Sequence, residues 1–187
     1  MVAEIAWAPP ALNHVEMVYR PGERQLALDV LGVLGCHTMD SGGIWARGLV
    51  DAGRTELAGD SNNVVYVSEV TPEQWALEVT MSAALHDGPL AGPWSAYAGR
   101  LRTEPQRSSH FGIRCPDRAA FDERLDAVRA AGADGPLAGR IELVGLYFPG
   151  DPGAVSPRLA QAFVWTDVIA AGVIALGQHI EVQLAVG

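Results

Sequence analysis

No lysine occurs in this chain of 187 residues; its thirteen basic side chains are all arginines. That excludes Schiff-base chemistry on a lysine amine and a phosphate loop of the Walker kind. Cysteine is scarce too. Cys36 and Cys115 imply no disulfide framework, and two idle thiols suit a reducing cytoplasm. The longest apolar run, 168–177, is far too short to span a bilayer, and residues 1–13 lack the basic and apolar regions of a signal peptide. Positive charge is in deficit. A net charge of −9 argues against nucleic acid and against an anionic membrane as partners.

What is present is apolar: 49% of residues are hydrophobic and 19% charged, which suits a compact globular chain with a sizeable core. The order of signals then repeats. Residues 12–20 alternate like a strand, and 22–35 carry Leu26, Val30, Val33 and Leu34 at helical spacing. Strands are expected at 36–43, 63–70 and 74–81, with Thr71-Pro72 as a turn. The second half has a strand at 108–115 and a helix at 116–132 with Phe121, Leu125 and Val128 on one face. Strands follow at 140–148, 162–170 and 177–186. The fold class expected is α+β, two β-α-β-β-β modules at 1–85 and 109–187, joined by a Pro- and Gly-rich linker at 86–108. The hexapeptide DGPLAG, at 87 and again at 134, is read as recurring turn chemistry.

Parity sorts the strand side chains into faces. Val15, Met17 and Tyr19 oppose His14 and Glu16; Phe111, Ile113 and Cys115 oppose His110, Gly112 and Arg114. Trp75, Leu77, Val79 and Met81 oppose Glu78, and Ile180, Val182 and Leu184 oppose His179, Glu181 and Gln183. A carboxylate on an otherwise apolar strand costs several kcal/mol to bury unless it has a partner. His on the first strand and Glu on the fourth, twice over, suggests one. Two imidazoles and two carboxylates suit a divalent ion such as Ni, Zn, Fe, Mn or Co. Any one of these histidines alone is more simply a structural or surface residue. His179 is either an acid–base neighbour of Glu181 or packing at the rim. His37 and His86 lie in solvent-facing turns, Glu16 and Arg114 are candidates for cross-module pairing or substrate contact, and Trp75 and Trp165 are core packing.

The stretches NHVEMVY and SHFGIRCPDRAAFDERLDAVRAAG at the module starts, with ALEV and HIEVQL at their ends, resemble the vicinal oxygen chelate superfamily. Its members include glyoxalase I, methylmalonyl-CoA epimerase, extradiol dioxygenases and bleomycin resistance proteins. The resemblance implies cupped mixed sheets facing a metal held by His14, Glu78, His110 and Glu181, closest to bacterial glyoxalase I. It further implies a small substrate with vicinal oxygens, and Glu181 and Glu78 as proton-transfer residues in a lyase or isomerase, within a homodimer. Two alternatives stay open. One is an extradiol-type Fe(II) dioxygenase using His14, His110 and Glu181, the other a non-catalytic small-molecule-binding protein.

Overall fold

A computed structural model of the chain describes residues 14–50 and 63–185. Expectations that touch 12–13, 51–61 or 186 lie outside those residues. Within them the chain is an α+β protein with two mixed sheets and four helices. The first half supplies β1 (His14–Tyr19), α1 (Arg24–Val33), β2 (His37–Asp40), β3 (Trp45–Leu49), β4 (Val64–Glu69) and α2 (Pro72–His86). After α3 (Ala91–Thr103), the second half supplies β5 (His110–Arg114), α4 (Arg118–Ala133), β6 (Ile141–Tyr147), β7 (Leu159–Thr166), β8 (Ile169–Ala170) and β9 (Gln178–Ala185).

The two sheets are built alike. Strands run β2-β3-β4-β1-β8 in one and β5-β9-β7-β6 in the other, and in each the first strand lies parallel to the last long one. β8 is the exception that links them. At Asp167 and Val168 the chain leaves the second sheet and pairs Ile169 and Ala170 with Tyr19 and Val18 of the first. The single strand expected over 162–170 is therefore broken in two.

One core serves both halves. Met17, Tyr19, Val65 and Val67 of the first sheet and Ile180, Val182 and Val164 of the second are sealed from water. Leu28 and Leu31 of α1, and Phe121, Leu125 and Val128 of α4, belong to the same cluster. Removing such a side chain from water stabilises by about 1.5–3 kcal/mol. A half-buried ion-pair chain adds a polar tie, running from Glu23 through Arg140 and Asp167 to Arg20.

Two expectations are corrected here. Residues 74–81 are helix, not strand: Thr71 accepts the Gln74 amide at 3.2 Å and Pro72 opens the first turn. The Thr-Pro-Glu-Gln start is a helix cap with proline where its missing N–H costs nothing. That local chemistry prevails over the period-two run of Trp75, Leu77, Val79 and Met81, and Leu77 and Val79 are left exposed. The fourth strand of the first sheet is β4 instead. The segment 86–108 also holds a helix of its own, α3.

The repeated DGPLAG forms the same exit twice. Asp87 and Asp134 end α2 and α4 in extended backbone, their amides bonded to Ala83 and Ala130. Gly88 and Gly135 follow at φ 99° and 84°, a region open to glycine and strained for other residues. Among the described residues no helix is long and apolar enough to cross a membrane.

Candidate functional site

The register of the second sheet lays its outward side chains in rows. His110, His179, Trp165 and Glu142 make one row; Gly112, Glu181, Phe163 and Gly145 the next; Arg114, Gln183, Gln161 and Tyr147 the third. Helix α3 covers the first row. Arg102 stacks over the Trp165 ring at 4.2 Å and pairs with Glu142.

Glu181 sits at the centre of this face and is 4% exposed. Its carboxylate accepts from the Gln161 amide and from Gln183 Nε2 at 2.8 Å. His110 Nε2 lies 3.5 Å from Glu181 Oε2. The His110 ring is held edge-on against Phe163, centroids 5.3 Å apart, and Tyr147 also packs edge-on to Phe163. Beside them Gly112 is exposed, and a Cβ built on it would stand 3.4 Å from Glu181 Oε2. A side chain at 112 would come into contact with that carboxylate.

The proton count at His110 follows from its other nitrogen. Nδ1 lies 2.8 Å from the Ser108 carbonyl, which can only accept, so Nδ1 carries a hydrogen. In a neutral ring Nε2 is then a bare acceptor facing a carboxylate oxygen. Two acceptors at that separation repel unless a proton lies between them or a donor from elsewhere serves both. The pair is thus a place for one proton or one incoming donor.

His179 is 2% exposed, and its Nε2 has no hydrogen-bond partner among the described residues. Burial pushes its pKa down to about 4; the Leu101 carbonyl opposes that, and Arg102 and His110 add to it. This histidine is held neutral.

Of the four expected metal ligands, the structure brings together His110 and Glu181. Glu78 sits on α2 rather than on a sheet face. It is 3% exposed, and its oxygens accept the Ile174 and Ala175 amides at 2.9 and 3.0 Å. His14 lies at the end of the other sheet, edge-on to Tyr66 with centroids 5.5 Å apart. Among the described residues no three His, Cys, Asp or Glu side chains are grouped to hold a metal ion. Glu78's oxygens already serve backbone amides, and His14 stands on the other sheet.

Gln161, Gln183 and the Ser108 carbonyl were not foreseen as partners of the pair. Gln183 shares Glu181's parity, which was a usable signal. Gln161 could be found only from the β7–β9 register, where it stands opposite Gln183. Both cysteines are buried and free, and burial pushes the Cys36 thiol up to about 11, so these thiols stay protonated and unreactive. The chain matches no protein-family model, no curated protein and no solved structure.

Proposed function

We propose that the chain is a small-molecule-binding protein whose ligand enters beside Gly112 and gives a hydroxyl or amine hydrogen to His110 Nε2 and Glu181. The observation that carries this is the committed Nδ1 of His110, which leaves its Nε2 and a buried carboxylate as two acceptors 3.5 Å apart. Tyr147, beside the fully buried Phe163, gives an aromatic flank, and Gln183 and Arg114 a polar rim. The matched strand order of the two sheets supports a cupped, twice-built β-α-β-β-β architecture and, with it, the resemblance to the vicinal oxygen chelate proteins. Within that resemblance the geometry favours the members that bind ligands without the four-ligand metal set.

A second reading, proton transfer on the bound ligand, is favoured by one feature. Ser108 and Phe163 hold the His110 ring with Nε2 turned to Glu181, the arrangement of a base beside a charge-balancing partner. In that reading the bare His110 Nε2 takes a proton from the ligand and later returns it, while the Glu181 carboxylate balances the imidazolium formed in between.

The test is a fragment screen read by amide NMR. Hydroxyl- and amine-bearing fragments should shift the Gly112 and Glu181 amides, and their O- or N-methylated analogues should bind about ten-fold more weakly. Glu181→Gln should erase that difference. Fragments that bind equally well with the donor blocked, or bind away from Gly112, would contradict the proposal.

A further inference from the structure

We infer that the cleft between α2 and α3 is a second small-molecule site, selective for a flat aromatic carboxylate. It is separate from the His110–Glu181 pair and does not depend on the reading of that pair.

The cleft has two adjoining lobes of about 260 and 280 Å³, both bordered by Arg20, Ser82, Ile174 and Ala175. Cavities of a few hundred Å³ suit a bicyclic ligand. Trp75 borders one lobe; Trp94 and Trp165 border the other. All three rings are half-buried, and Ile174 between them is 1% exposed. Rings so placed offer stacking faces at low entropic cost.

Charge sets the ligand's sign. Arg20 gives Nη2 to Asp167 at 3.1 Å, but the same carboxylate accepts Arg140 Nε at 2.8 Å. Arg140 is also paired with Glu23, and among the described residues Asp167 takes only one Arg20 nitrogen, so the other guanidinium N–H groups of Arg20 remain open at the lobes' shared border. Arg102, at the far wall, lies flat on Trp165. In a chain of net charge −9, a cleft whose charged borders are Arg20, Arg102, Glu78 and Asp167 is locally balanced and lacks the acidic excess of the chain as a whole. A carboxylate meeting Arg20 while its ring lies among the tryptophans satisfies both features.

The floor is fixed. Glu78 takes the Ile174 and Ala175 amides and ties α2 to the 174–177 turn, and Gly177, at φ 72°, passes directly against the Trp165 indole nitrogen. The walls are therefore set before a ligand arrives, which lowers the cost of binding.

The test titrates the full chain with 2-naphthoate and, in parallel, with neutral 2-naphthalenemethanol, following the indole N–H signals by NMR. Naphthoate should bind saturably with Kd on the order of 1 mM or tighter, as its size allows. It should shift the Trp75, Trp94 and Trp165 signals while Trp45, on the other sheet, stays still. The alcohol should bind at least about ten-fold more weakly. Arg20→Gln should remove the preference for the acid, and Ser82→Phe, which fills the lobe without changing charge, should abolish binding of both. No saturable shift, equal affinity for acid and alcohol, or full binding in Ser82→Phe would overturn the inference.

Discussion

Tyr66 stands in the first sheet where Glu181 stands in the second. Glu181 lies opposite Gly112, two residues beyond His110, on the parallel neighbouring strand; Tyr66 lies opposite Glu16, two residues beyond His14, in the same relation. The two halves share a frame, yet one presents a carboxylate to its histidine and the other a phenol ring. A metal site built from equal shares of each half has no carboxylate on the first sheet at that position.

Ligand binding should therefore survive metal removal. Fragment affinities measured after exhaustive dialysis against EDTA should agree within about two-fold with those of untreated protein. A loss of ten-fold or more, restored by one divalent ion, would show that a cation completes the His110–Glu181 pair.

Glu78 holds the 174–177 turn to α2, and its charge is central to that hold. Glu78→Gln keeps the shape but turns two charge-assisted bonds into ordinary ones and sets an amide N–H₂ against backbone N–H groups. Unfolding in urea should show a loss of about 1.5–3 kcal/mol, with the fragment shifts at Gly112 retained. If stability is unchanged and the Gly112 site is lost, Glu78 belongs to the ligand site.

His179 should make the protein acid-sensitive. Its folded pKa, about 4, lies below the value of about 6.5 for a free imidazole. Below pH 6.5 the unfolded chain takes up a proton that the folded chain refuses, so stability falls as pH falls from 6.5 towards 4 and then levels. The loss assignable to this one group is about 3 kcal/mol. Urea titrations across that range should show the slope in the wild type and a shallower one in His179→Gln; equal slopes would mean that other groups set it.

Gly112 tests the entrance. Its Cβ would meet Glu181 and Gln183 at 3.4 Å, ordinary contact, and its backbone is not in the left-handed region. Gly112→Ala should fold and bind fragments with a modest loss, whereas Gly112→Leu should fold with a similar melting temperature and lose binding ten-fold or more. Unimpaired binding in Gly112→Leu would place the entrance elsewhere.

Much of this frame was legible in the residues. Parity placed Met17, Tyr19, Ile113, Ile180 and Val182 inward, and all five are core. Helical spacing found α1 and α4, where Phe121, Leu125 and Val128 recur at one face. Alternation failed at 74–81, because Trp75, Leu77, Val79 and Met81 fit a strand period, while the decisive signal was the cap before them. His110 and Glu181 were legible as a pair, being outward residues of two strands expected in one sheet. Their hydrogen-bond partners were not. Gln161 reaches Glu181 through cross-strand register, and Ser108 reaches His110 through a backbone carbonyl, neither of which leaves a pattern in one sequence.

The most direct measurement is imidazole ¹⁵N NMR of His110 in the wild type and in Glu181→Gln. The account predicts hydrogen on Nδ1 in both, and an Nε2 signal that moves strongly on substitution because the Gln amide can donate to the bare Nε2 where the carboxylate could not. A ring with bare Nδ1, or an Nε2 signal indifferent to the change at Glu181, would contradict it.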